Sequence, residues 1–197
     1  MNVIDRTSKQ QYQASSINNT GWLTHIRHCP SPHFNQRPMG CAISLLVIHN
    51  ISLPPGKFGG SFIDHLFQGT LDCNADPFFA DLEGLRVSAH CMINRTGEVT
   101  QYVAFNERAW HAGVSSFENI DNCNDYSIGI ELEGTDTTPY TPAQYITLAT
   151  LTKKIQQAYP NITNHRITGH SDIAPGRKTD PGAAFDWGHF RGLLALS

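Results

Sequence analysis

Residues 42–48 (Ala42-Ile43-Ser44-Leu45-Leu46-Val47-Ile48) form the strongest apolar run in the chain, and it does not alternate. Such a run predicts a strand covered on both faces, as in the centre of a sheet. It breaks off at His49-Asn50 into a loop carrying Pro54-Pro55-Gly56 and Gly59-Gly60. Residues 87–93 and 98–105 read as two strands of a hairpin, with Asn94-Arg95-Thr96-Gly97 supplying the turn. Residues 126–133 alternate strictly: Tyr126, Ile128, Ile130 and Leu132 share one face, and Glu131 lies opposite, beside Gly129. The clearest helical period starts at Thr141. Thr141 can cap it, Pro142 suits its first turn, and Gln144 completes a capping box. Tyr145, Leu148, Leu151, Thr152, Ile155 and Tyr159 then fall on one face, and Pro160 stops the run.

Weaker signals complete the outline. Residues 61–68 and 77–83 suit short helices, 166–169 a short strand, and 185–194 a closing helix. Pro30, Pro32 and Pro38 predict an extended loop over 26–40. The polar first twenty residues read as a loose arm, leaving 21–197 as one domain. A sheet interleaved with a few helices predicts an α/β fold, with a central mixed β-sheet flanked by α-helices.

Composition narrows the function classes. With 197 residues, 40% of them hydrophobic, the chain suits a single core. The net charge of -3 and the lack of a Lys/Arg run argue against nucleic acid as a partner. No apolar run approaches the length of a membrane span, and the first residues lack the apolar stretch of an export signal. Five cysteines, odd in number and without a Cys-x-x-Cys pair, predict free thiols in a reducing compartment, the cytoplasm.

The candidate chemistry sits where strands end. His49 follows the buried run, and His170 follows Arg166-Ile167-Thr168-Gly169. Lys178-Thr179-Asp180-Pro181-Gly182 then places a cation and a carboxylate in one loop. Two imidazoles and a carboxylate make an open zinc site, with a position left for water or substrate. A hydrolase built on it needs a base, a role open to Glu131, and a cation near the developing oxyanion, open to Lys178. Spacing alone leaves bland readings open. Each histidine could satisfy a strand-end hydrogen bond, Glu131 and Glu133 could mark a solvated face, and Lys178 could be a surface charge.

Taken together, five segments resemble a known family. They are residues 44–56 around His49-Asn50, Ser88-Ala89-His90, Ala109-Trp110-His111-Ala112-Gly113, 127–134 around Glu131, and 168–182 from His170 to Gly182. In this order they are similar to the N-acetylmuramoyl-L-alanine amidases, which include phage amidases and peptidoglycan recognition proteins. The match runs from about Gly21 to the end and is closest to the cytoplasmic AmpD branch, the 1,6-anhydro-N-acetylmuramoyl-L-alanine amidases of cell-wall recycling.

The resemblance implies one zinc ion per chain, held by His49, His170 and Asp180, with Glu131 as catalytic acid/base and Lys178 steadying the oxyanion. It further implies that Arg86 and Arg177 contact carboxylates of a stem peptide, and that Asn50, His111 and Ala174 line the groove. A monomer acting on a small soluble muropeptide is expected. Asp180 stands where phage and recognition-protein relatives typically carry Cys, which favours the recycling branch. Two rivals are a peptidoglycan-binding module without catalysis and a secreted autolysin. The complete ligand set and Glu131 argue against the first, and the unpaired cysteines against the second.

Overall fold

A computed structural model describes residues 15–196. Most of the arm expected over 1–20 lies outside the described residues. Of its last residues, Ile17 bridges to Leu23 and the Ser16 N–H donates to Thr24 Oγ1.

The sheet is built around two long strands, β3 (Leu45–Ile51) and β9 (Ser127–Glu133), which run parallel over seven residue pairs. Both are buried on both faces, as the apolar run at 42–48 predicts. The remaining strands are β1 (Arg27–His28), β4 (Cys91–Ile93), β5 (Val99–Gln101) and β10 (Ile167–Gly169), giving the order β1-β5-β4-β9-β3-β10. β4, β9, β3 and β10 are mutually parallel, while β5 returns antiparallel to β4 through the expected turn. The sheet is therefore mixed. Short pairs flank it: β2 (Phe34–Asn35) with β6 (Arg108–Ala109), and β7 (Ser116–Phe117) with β8 (Ile120–Asp121).

One face of the sheet carries the main core. Leu46, Ile48, Ile128, Ile130 and Leu132 pack beneath Tyr145, Leu148, Leu151 and Ile155, and beneath Phe190 of the closing helix. Of the helices, α1 spans Phe62–Gln68, α2 Pro142–Ala158, α3 His170–Ile173 and α4 Trp187–Ala195. α2 begins as its sequence predicts, with Thr141 accepting from the Gln144 N–H and the Gln144 side chain accepting from the Thr141 N–H. The segment at 77–83 is a 3-10 helix over Pro77–Leu82, started by Asp76 and Pro77.

The opposite face is less apolar and holds the candidate chemistry. The strand pairing sets His49 beside Glu131, and Ile48 beside Gly169. Paired residues on parallel strands project to the same side. His170, one residue past Gly169, thus emerges next to His49 at the C-terminal ends of the parallel strands, where open α/β sheets place their sites.

Candidate active site

Three side chains converge there. His49 Nδ1, His170 Nδ1 and Asp180 Oδ2 form a triangle with every edge 3.0 Å. His49 and His170 are buried, and Asp180 is partly so. Asp180 is carried back to the strand ends by its own loop: its carbonyl accepts from the Ser171 N–H, and Tyr140 Oη donates to the Pro181 carbonyl at 2.8 Å. At Gly182 (φ +81) a Cβ would meet the Asp136 backbone at 2.1 Å, so only glycine lets that loop pass. Asp136 is fixed in turn by Asn50, whose Nδ2 donates to Asp136 Oδ1 at 2.7 Å.

The donor set fits a metal ion. His170 Nε2 is 3.0 Å from the Ala112 carbonyl, which can only accept, so the ring proton sits on Nε2 and the Nδ1 lone pair faces the triangle. Burial pushes His49 down to about 4, so that ring is neutral near pH 7. Two imidazoles and a carboxylate converging on one point are what a divalent ion of the zinc type binds.

Glu131 lies beside this triangle with its carboxyl buried and Oε2 lacking a hydrogen-bond partner among the described residues. Burial, then the nearby Asp180 charge, push it well above the usual carboxylate range, while the Lys178 ammonium pulls it back. Lys178 is itself exposed, on the loop between Ala174 and Asp180. Glu133, two residues on, is buried as well, and its oxygens accept from the Gly59 and Arg95 N–H groups. This face of β9 is therefore not solvated, because both carboxylates turn inward toward partners or toward the site.

The other expected site residues separate. Ala174 and Arg177 line a cavity of about 450 Å³ with Val114, Ser115, Asp121 and Asn122. Arg177 also holds that wall, donating to the carbonyls of Ala112 (2.7 Å) and Val114 (2.5 Å). Arg86 is exposed on the segment before β4. His111 sits against His49, its Nδ1 2.9 Å from His49 Nε2 and its own Nε2 3.1 Å from Ser127 Oγ. Gly129 leaves the space for this ring: a Cβ there would lie 2.4–2.7 Å from the His111 ring atoms. The close approach that Gly129 permits is thus made by a protein side chain.

Sequence reasoning passed over Ser127 and Arg37. The signal for Ser127 was present in the alternation Ser127-x-Gly129-x-Glu131, a face of small residues ending in a carboxylate. Arg37 had no local signal. From the proline-rich loop it donates to the carbonyls of Phe105, Asn124, Asp125 and Ser127, bracing the start of β9.

Relatives share this architecture. The N-acetylmuramoyl-L-alanine amidase family pattern matches residues 35–183. The 1,6-anhydro-N-acetylmuramyl-L-alanine amidase AmpD of Salmonella typhimurium is 60% identical over 177 residues, covering 90% of this chain and 94% of its own. The crystal structure of a selenomethionine AmpD derivative superposes with a TM-score of 0.87 at 59% identity, over 89% of this chain and 98% of that one. AmpDh3 of Pseudomonas aeruginosa, solved in complex with an anhydromuramic pentapeptide, gives a TM-score of 0.57 at 32% identity, over 77% of this chain and 59% of its own. The chain belongs to the N-acetylmuramoyl-L-alanine amidase family, and within it to the AmpD group.

Proposed function

We propose that this protein is a zinc-dependent amidase that hydrolyses the bond between the lactyl group and L-alanine in 1,6-anhydro-N-acetylmuramyl peptides, freeing the stem peptide during peptidoglycan recycling. The observation that carries the reading is the 3.0 Å donor triangle of His49, His170 and Asp180, with the buried Glu131 carboxyl beside it, its Oε2 without a hydrogen-bond partner among the described residues. The name of the Salmonella relative and the pentapeptide bound to AmpDh3 support the substrate class. One zinc per chain, held by those three residues, would supply Lewis-acid polarisation of a carbonyl and of water.

The chain's own residues do the rest. Glu131 takes the proton of the attacking water and returns it to the alanine nitrogen as the amide C–N bond breaks. Burial and the nearby Asp180 charge raise its basicity, which favours its taking that proton. Lys178 sets its ammonium against the negative charge that develops on the lactyl carbonyl oxygen. Arg86 and Arg177 pair with stem-peptide carboxylates, and Ala174 lines the cavity beside Arg177. Asn50 and His111 belong to the same site. Asn50 acts from its bond to Asp136, and His111 from beneath His49.

The enzyme works on a soluble muropeptide as a monomer in the cytoplasm. Five free cysteines suit that reducing compartment, and the net charge of -3 together with the lack of a Lys/Arg run argues against nucleic acid as a partner. No helix among the described residues is long and apolar enough to cross a membrane. The test is digestion of a defined anhydromuropeptide by purified protein of known metal content. Free anhydromuramyl sugar and a peptide beginning with L-alanine, at about one zinc per chain, are expected. Intact substrate in the presence of bound zinc would overturn the reading.

A further inference from the structure

We propose that His111 and Ser127 form a relay that fixes the ring tautomer and orientation of His49, making His111 a positioning residue for the metal ligand. The inference rests on the zinc reading above and adds residues that hold the ligand in place.

The directions of the hydrogen bonds follow from chemistry. For His49 Nδ1 to offer a lone pair to the donor triangle, its ring proton must sit on Nε2. Among the described residues, the acceptor facing that Nε2–H is His111 Nδ1 at 2.9 Å. His111 Nδ1 can accept only if the His111 proton sits on its own Nε2, which then donates to Ser127 Oγ at 3.1 Å. A single consistent set of protons runs from Ser127 through His111 to His49. His170 is locked by a different device, the Ala112 carbonyl. Ligating histidines ordinarily give their second ring proton to a carboxylate, carbonyl or water. Here a second imidazole fills that role for His49.

The site is built for this ring. His111 lies edge-on to His49, with ring centroids 5.0 Å apart. Its backbone is pinned by Asn124 Oδ1, which accepts from the His111 and Ala112 N–H groups at 3.1 and 2.8 Å. The same Asn124 bonds thus secure both devices, since the Ala112 carbonyl belongs to the next residue. Gly129 and Ser127 are the small residues of β9 that leave the ring its slot, and any side chain at Gly129 would fill it. Glu131 follows at the next position on this face.

The experiment titrates metal-free protein with zinc against a competing chromophoric chelator, alongside circular dichroism of each variant. His111→Leu and Gly129→Ala should each weaken zinc binding roughly 10- to 100-fold, as loss of an outer partner does. Gly129→Ala keeps the imidazole in the sequence and only displaces it. His111→Asn, which restores an acceptor near the Nδ1 position, should recover most of the affinity. Wild-type affinity in His111→Leu, or equal losses in His111→Asn and His111→Leu, would overturn the inference. Should His111→Leu fail to fold, Ser127→Ala decides, with a loss of about fivefold expected from one hydrogen bond and no loss overturning the relay. His49→Ala separates the two levels. If it binds zinc as wild type does, the zinc reading itself fails. If it alone loses zinc, that reading stands and the relay falls.

Discussion

Glu131 and Glu133 stand two positions apart on the same face of β9, and their surroundings give them different work. Glu133 spends both oxygens on backbone N–H groups of Gly59 and Arg95, tying two loops to the strand end. Glu131 has no hydrogen-bond partner for Oε2 among the described residues and lies beside the donor triangle. Glu131→Ala should therefore keep zinc and fold while losing roughly 10²-fold or more in turnover, as removal of a general base does. Steady-state kinetics beside metal analysis checks this, and near-normal turnover would leave the carboxylate without a catalytic role. Glu133→Ala should show the converse. Two N–H groups lose their acceptors at a cost of about 1–3 kcal/mol, read as a lower denaturation midpoint. For Lys178→Ala the expected loss is about tenfold or more in kcat with a smaller change in KM, because the ammonium acts on charge that appears only in the transition state.

Among the elements, α2 shows how local sequence and tertiary contact reinforce each other. Its capping box closes within Thr141–Gln144, but both residues also reach beyond the helix. Thr141 Oγ1 donates to the Arg95 carbonyl at 2.9 Å, and Gln144 Nε2 donates to the carbonyls of Ile93 and Glu133. The cap thus clamps the helix onto the C-terminal ends of β4 and β9, close to the site. Thr141→Ala should cost about 1 kcal/mol. In a chain of this length that lowers the melting temperature by roughly 2–4 °C. Zinc affinity should be unchanged, since the cap lies outside the ligand shell. Calorimetry together with a zinc titration measures both, and a large loss of zinc would show that the helix start governs the site.

At the scale of the whole molecule, the proposed ion would join β3, the start of α3 and the loop ending at Asp180, three parts of the chain drawn from positions 49 to 180. Ligand bound only by the folded state stabilises it, by roughly 2.7 kcal/mol at a hundredfold excess over Kd. Stripping zinc with a chelator should accordingly abolish activity and lower the melting temperature by roughly 5–10 °C, and added zinc should restore both. An unchanged melting curve would argue that no ion bridges these segments. Substrate choice also belongs to this scale. Soluble anhydromuropeptides should be cleaved far faster than purified sacculi, with products identified by mass. Equal rates on both would place the protein among wall-degrading autolysins.

The elements themselves were legible in the sequence because their causes are local. The unalternating run at 42–48, the strict alternation at 126–133 and the capped period from Thr141 each reflect burial by one or two faces, and all three elements form, the first shifted to Leu45–Ile51 because pairing with β9 carries the strand on through His49 and Asn50. The family was legible too, since five separated segments kept their order. What only the tertiary structure decided was the work of residues whose partners are distant in sequence. Gly129 was readable as a place of close approach, but the ring that approaches comes from position 111. The two carboxylates of β9 look equivalent by alternation, and they part because the loops at Gly59 and Arg95 fold back onto one of them alone. Periodicity records which side of an element is covered. The identity of the covering group depends on strand register and loop closure, which bring residues 62 and 131 positions apart within hydrogen-bonding distance.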